Sequence, residues 1–287
     1  MLPPCWLDYT PTPRLIQGCS SAKLPNILHS AIIQRVRPKL KGIIRTVWIA
    51  SGIAATAWLY VGFQAAGVPD DAVKSDRQTT VVAGPDGLDF RSLTNPKRSS
   101  LIFLPGGMVD PVAYAPLLKG MAGLGYRAHL LYLPLRCACT DSQTRELFES
   151  IRRVIDSEPD TAWVLAGHSR GAMLAARFVH ENQTRLAGLV LIATTHPRDF
   201  TLADLQIQVT KIYGTLDGIA PYSTIRKNSH LLPPNTAWVG IEGGNHVQFG
   251  YYRHQFGDNA AAISRQQQQA AVQTEMAKAL ERVSAPK

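Results

Sequence analysis

The sequence predicts an α/β fold: a doubly wound, mostly parallel sheet without a lid domain, preceded by one transmembrane helix. Three observations predict it. From Leu101 to Val283, short apolar runs alternate with runs of helical spacing, as strands joined by crossover helices do. One unit reads apolar run, Gly167-His168-Ser169-Arg170-Gly171, helix-like run, a sharp strand-to-helix turn with a serine at its tip. Upstream, Thr46–Val68 holds 23 residues without a charge, about enough for a helix to cross the hydrocarbon core.

The elements follow in order. Residues 1–42 scatter Pro, Ser and Cys without period and are expected to be a disordered tail; translation from a misplaced start is an alternative origin for them. Residues 43–68 are expected to be the anchor, touching the membrane through residues 46–68, with Trp48, Trp58 and Tyr60 available for its interfaces. Lys39, Lys41 and Arg45 precede the apolar run, and Asp70 and Asp71 follow it. That asymmetry puts the N-terminus in the cytoplasm and the bulk of the chain outside. Two other readings stay open. A cleaved signal peptide would release a secreted or periplasmic protein, although Gln64-Ala65-Ala66 is a poor cleavage match. A buried core helix is disfavoured by the uniformly apolar circumference. Residues 69–79 read as a linker, and residues 80–287 as the globular domain.

Within that domain Leu101–Leu104 is strand-like and ends in Pro105-Gly106-Gly107. Val112–Leu124 reads as a helix closed by Gly125, Ala128–Leu133 as a strand, and Ser142–Ser157 as an amphipathic helix. Ala162–Ala166 and Ala172–Phe178 flank the serine turn. Gly188–Ala193, Ile207–Tyr213 and Thr236–Ile241 read as further strands, and Ile263–Val283 as the terminal helix. Gln266–Gln269 reads as a solvated face of that helix. Little more than a dozen residues separate Ala193 from Ile207, too few for an inserted lid, so the site is expected to be open.

Charge narrows the function. The net charge is +9, but residues 1–45 carry +6 of it, leaving +3 for the remainder. A near-neutral domain without a basic, aromatic-interleaved stripe does not fit a nucleic-acid binder. The four cysteines have no zinc spacing, and Cys137-Ala138-Cys139 is too tight for an unstrained bridge. They read as structural or incidental, and no metal or organic cofactor is expected.

The candidate chemistry starts from Ser169. A serine hydroxyl needs a base, and the base needs an acid to fix its tautomer. Asp217, in Tyr213-Gly214-Thr215-Leu216-Asp217-Gly218, and His246, in Gly243-Gly244-Asn245-His246, each follow a strand. That is where ligands gather in open α/β sheets. Asp199 is the fallback acid and His196 the fallback base. The oxyanion donors are expected at the N–H groups of Arg170 and Gly107, with Met108 close behind Gly107, because Pro105 has no N–H. The Arg170 side chain either pairs with an anionic substrate or points to solvent.

With these residues in view the chain resembles the alpha/beta-hydrolase superfamily, and more closely a bacterial group of lidless, dienelactone-hydrolase-like enzymes often preceded by an N-terminal membrane segment. Leu104–Leu117, the serine turn, Ile212–Gly218 and Ile241–Gly250 carry the resemblance, with Gly257-Asp258 and Ile263-Ser264-Arg265. It implies hydrolysis of a carboxylic ester or lactone, a small-molecule substrate, by Ser169, Asp217 and His246. Acyl transfer or thioester hydrolysis by the same residues is the alternative, and a non-catalytic binding module a further one. Two features depart from the group: Arg170 stands where it usually has Leu, and Leu135–Cys139 is more polar. Dienelactone hydrolases proper use a cysteine nucleophile where this chain has Ser169.

Overall fold

The computed structural model describes residues 38–182 and 186–284. The expected tail lies almost wholly outside the described residues. The chain forms two units, 1–53 and 54–287. Helix α1 (Pro38–Gly62) fills the described part of the first and enters the second. Its stretch Lys41–Gly62 is long and apolar enough to cross a membrane, with mean hydropathy 1.3. The helix stops at Gly62, six residues before the uncharged run does. Phe63, Ala65 and Val68 instead pack against the domain core. Apolar composition alone does not distinguish lipid from a protein interior as the place a side chain is buried.

The second unit is built on a sheet of strands β1 (Thr79–Gly84), β2 (Gly87–Ser92), β3 (Ser99–Leu104), β4 (Ala128–Leu131), β5 (Ala162–His168), β6 (Leu186–Ile192), β7 (Gln208–Gly214) and β8 (Ala237–Ile241). Their order is β1-β2-β4-β3-β5-β6-β7-β8. The β1–β2 and β2–β4 pairs are antiparallel and the rest parallel. The β1–β2 hairpin had no counterpart among the expected strands. Its turn, Gly84-Pro85-Asp86-Gly87, ends on a glycine with φ +155° whose missing Cβ would strike the Leu130 carbonyl.

Helices cover both faces because the central strands are apolar on both. Leu101 and Phe103 of β3 face one cluster and Ile102 and Leu104 the other, the two-residue alternation of a pleated strand. The first cluster is closed by α2 (Ala115–Gly123) and α6 (Arg265–Ser284), through residues such as Leu118, Met121, Val272 and Leu280. The second is closed by α3 (Asp141–Ser157) and α4 (Arg170–Glu181), through Leu147, Ile151, Leu174 and Phe178. Helix α3 begins at a capping box, in which the Thr140 hydroxyl accepts from the Gln143 N–H and the Gln143 side chain accepts from the Thr140 N–H. Helix α5 (Tyr222–Lys227) is short. Residues 193–207, between β6 and β7, form turns and bends without an inserted domain.

Two local expectations change. The Cys137 and Cys139 sulfurs are joined across Ala138, with Cα atoms 5.0 Å apart. Residues 135, 136 and 138 all have positive φ, and this coiled backbone brings the two side chains together despite their spacing. Gln268 and Gln269 are buried, not solvated. Gln268 donates to the Asn245 carbonyl at 2.7 Å and accepts from the Asn245 N–H at 3.0 Å, while Gln269 donates to the Gln248 carbonyl at 2.6 Å. Gln268, with both ends of its amide on backbone partners, is buried at little cost, whereas Gln269 Oε1 is buried with no partner among the described residues.

Candidate active site

Ser169 stands between β5 and α4 with φ +52° and ψ −113°, a conformation a non-glycine residue adopts only under constraint. The constraint is visible. The Ser169 N–H donates to the Ile192 carbonyl at the end of β6, at 2.9 Å. The flanking glycines allow the turn to close. A Cβ on Gly167 would lie 2.5 Å from the Gly171 carbonyl carbon, and one on Gly171 would collide with the Leu104 and Pro105 carbonyls. Both faces of the turn are therefore packed backbone against backbone.

Asp217 and His246 are brought together. Asp217 Oδ2 accepts from His246 Nδ1 at 2.8 Å, and both side chains are buried. The other oxygen, Oδ1, accepts from the Ile219 and Ala220 N–H groups at 2.8 and 2.6 Å. Three donors thus fix the carboxylate. The bond places the ring proton on Nδ1 and leaves Nε2 as the basic nitrogen. His246 Nε2 is buried with no hydrogen-bond partner among the described residues. Ser169 and His246 line one cleft of about 230 Å³ with Arg170, Met173, Thr194, Thr195, His196, Arg198, Ile219 and Ala220.

The turn after β3 differs from residue to residue in what its N–H groups bind. The Gly106 N–H donates to the Tyr114 hydroxyl at 3.0 Å, and the Met108 N–H donates to the Arg136 carbonyl at 2.5 Å. Gly107 keeps an N–H without an acceptor among the described residues. Its missing Cβ would lie 3.1 Å from Arg170 Cβ, so the two expected donors are neighbours. Arg170 opens α4, and a first helical residue has no carbonyl one turn back to bind.

The Arg170 side chain lines the cleft and is held by the neighbouring loop. Its Nε and Nη2 donate to the Cys137 and Ala138 carbonyls at 3.2 and 2.8 Å. Partial burial and the nearby Arg177 lower its pKa. His196 also borders the cleft, 3.5 Å from the Thr194 hydroxyl; burial, then Arg198 and Lys211, hold it down to about 4. Neither it nor Asp199 is joined to Asp217 or His246.

Tyr114, Asp258 and Gln268, which had no expected place at the site, complete the surroundings together with His168. The Tyr114 hydroxyl, having accepted from Gly106, gives its own proton to His168 Nδ1 at 2.8 Å. His168 is buried with its ring 4.6 Å from that of His246, and burial followed by His246 drives its pKa well below the ordinary value. It is therefore a neutral packing partner. Asp258 binds both loops: Oδ1 accepts from the Gly218 and His246 N–H groups at 3.1 and 3.2 Å, and Oδ2 from Val247 at 2.9 Å. Gln268, described above, holds Asn245. In the sequence Tyr114 and Asp258 fell within segments of the resemblance without an assigned role, and Gln268 within the run read as a solvated helix face. Among the described residues no group of His, Cys, Asp and Glu is arranged to hold a metal ion.

Comparison with known proteins gives the fold a family. Residues 100–270 match the family model described as Alpha/beta hydrolase family. No curated relative matches the sequence. Among solved structures, a hyperthermophilic esterase from the archaeon Pyrobaculum calidifontis superposes with TM-score 0.57 at 13% identity, covering 87% of this chain and 99% of that one. A ferulic acid esterase from Streptomyces cinnamoneus gives 0.53 at 15%, covering 67% and 68%. A Thermus thermophilus protein gives 0.53 at 14%, covering 73% and 100%. At these identities the likeness is one of fold, and with the family match over more than half its length the chain belongs to the alpha/beta hydrolase family.

Proposed function

We propose that the protein is a membrane-anchored serine hydrolase that cleaves a carboxylic ester or lactone, with Ser169 as nucleophile, His246 as base and Asp217 as its orienting acid. The observation that carries this reading is the buried Asp217–His246 hydrogen bond beside a cleft that also holds Ser169 on its strained turn. His246 Nε2 takes the Ser169 proton as Oγ attacks the acyl carbon. The carbonyl oxygen gains charge and is held by the N–H groups of Gly107 and Arg170, each worth about 3 kcal/mol at that stage. The tetrahedral adduct collapses, His246 passes its proton to the leaving alkoxide, and an acyl-serine remains. Water, deprotonated by His246, repeats the sequence and releases the acid. Asp217 keeps its charge and stabilises the imidazolium at each step.

The apolar run is read as a single-pass anchor with the N-terminus cytoplasmic and the hydrolase domain outside. Length, hydropathy and the flanking charges support it. The test of the catalytic assignment is labelling by a fluorophosphonate and hydrolysis of short-chain aryl esters. Both are expected in the wild type and absent in Ser169→Ala; persistent labelling of that variant at the same stoichiometry refutes it.

A further inference from the structure

The apolar helix ends at a particular place on the domain. Beyond Gly62 the chain is fastened within a few residues. The Gly62 carbonyl accepts from the Arg253 and His254 N–H groups at 3.0 and 3.2 Å, and the Phe63 carbonyl from Asp110 at 2.9 Å. Gln64 accepts from the Arg136 guanidinium at 3.2 Å, and Ala66 donates to the Tyr251 carbonyl at 2.7 Å. Asp110 follows β3, Arg136 follows β4, and Tyr251–His254 follow β8. Each docking loop therefore leaves the carboxyl end of a strand, the same end of the sheet that carries Ser169, Asp217 and His246.

Three large apolar side chains are exposed on these same loops: Met108 at 47%, Leu135 at 81% and Phe256 at 77%. Met108 belongs to the turn carrying Gly107, and its N–H holds the Arg136 carbonyl, next to Leu135. Phe256 lies two residues past His254, and the following Gly257 carbonyl is packed against Gly218, next to Asp217. Met108 and Leu135 sit on left-handed backbone, φ +64° and +50°, so the chain tolerates strain to present apolar groups to the outside.

We propose that Met108, Leu135 and Phe256 form a rim seated in the bilayer surface, so that the cleft receives esters carried in the lipid phase. The inference rests on the anchor reading given above. A helix that spans with residues 41–62 puts residue 62 at the lipid–water boundary whatever its tilt. The loops hydrogen-bonded to residues 62–66 are then at that boundary as well, and their exposed apolar side chains meet the acyl region rather than water. The substrate class that follows is a long-chain acyl ester partitioned into the membrane.

Full-length protein in phosphatidylcholine vesicles tests this. Flotation in alkaline carbonate first establishes the anchor; a protein that does not float refutes the anchor reading and this inference with it. Photoreactive benzoylphenylalanine is then placed at position 135, at 256, and at Leu93, which is 58% exposed after β2. Cross-links to phospholipid acyl chains are expected from 135 and 256 and not from 93. A floating protein that yields no lipid adduct at 135 or 256 overturns the inference while leaving the anchor and the hydrolase readings intact. In turnover, the rate on a vesicle-embedded long-chain aryl ester divided by that on a water-soluble acetate is expected to fall roughly tenfold in Leu135→Ser/Phe256→Ser. The ratio stays at the wild-type value in Leu93→Ser. An unchanged ratio in the double variant counts against the rim.

Discussion

Tyr114 and His168 are joined by a 2.8 Å hydrogen bond, and the same hydroxyl accepts the Gly106 N–H at 3.0 Å. All of these groups are buried, so the turn that carries Gly107 is fixed from beneath by a single oxygen. Tyr114→Phe leaves the Gly106 N–H and the His168 nitrogen without that partner. Stability is expected to fall by about 1–3 kcal/mol, read from the denaturant midpoint. With Gly107 as the proposed oxyanion donor, the rate on a short-chain ester should fall mainly in kcat, because displacing its N–H weakens binding of the developing oxyanion more than of the ground state.

The serine turn predicts opposite outcomes for two glycines. Gly171→Ala pushes a methyl group into the Leu104 and Pro105 carbonyls and is expected to cost about 3 kcal/mol or more. Gly123, at the end of α2, has nothing within 4 Å of its missing Cβ. Gly123→Ala should gain about 0.5 kcal/mol from the reduced freedom of the unfolded chain. Thermal melts of the two variants, run side by side, decide it.

Because the Arg170 guanidinium is committed to the Cys137 and Ala138 carbonyls, Arg170→Leu should loosen that loop rather than alter charge preference. Loss of charge-assisted hydrogen bonds of this kind costs about 1.5–3 kcal/mol. Activity on a neutral aryl ester and on its carboxylate-bearing analogue is expected to drop by the same factor. A selective loss on the anionic ester would instead restore Arg170 as a recognition residue.

Lys211 is fully buried on β7 and donates to the His196 carbonyl at 2.6 Å. Burial lowers its pKa from 10.5 to about 7. Between those values the unfolded chain holds a proton that the native chain lacks, so this residue makes stability rise with pH across that window. Below pH 7 both states are protonated and the penalty of the buried charge is felt in full. Lys211→Met should flatten the rise between pH 7 and 10. The quantity to measure is the difference in unfolding free energy between the two proteins at each pH.

How much of this was legible in the sequence depends on what kind of interaction each residue makes. The parallel strands from β3 onward were readable because burial on both faces leaves uninterrupted apolar runs such as Leu101–Leu104 and Leu189–Ile192. The β1–β2 hairpin was not, since its edge position leaves Asp89 and Arg91 among its residues; the Pro85-Asp86-Gly87 turn was the available signal. Ser169, Asp217 and His246 could be nominated because their chain order and post-strand positions are local facts. Tyr114, Asp258 and Gln268 act through contacts across 54, 40 and 23 residues respectively, and a run of glutamines on a helix gives no local sign of which one is buried. The Arg170 partner was equally invisible, because it depends on carbonyls that turn inward only through positive φ at residues 135, 136 and 138.

Asp258 has a consequence for how the site is lost. One carboxylate binds Gly218, beside Asp217, and both His246 and Val247 on the other loop. The two loops are also joined directly, by the Leu216 N–H to the Gly244 carbonyl and by Asp217 to His246, each at 2.8 Å, so opening either loop breaks hydrogen bonds of the other. Amides 218, 246 and 247 should therefore exchange with deuterium through one common opening. Ageing or mild heating would leave a mixture of fully competent and fully silent molecules, with no population of half-working ones.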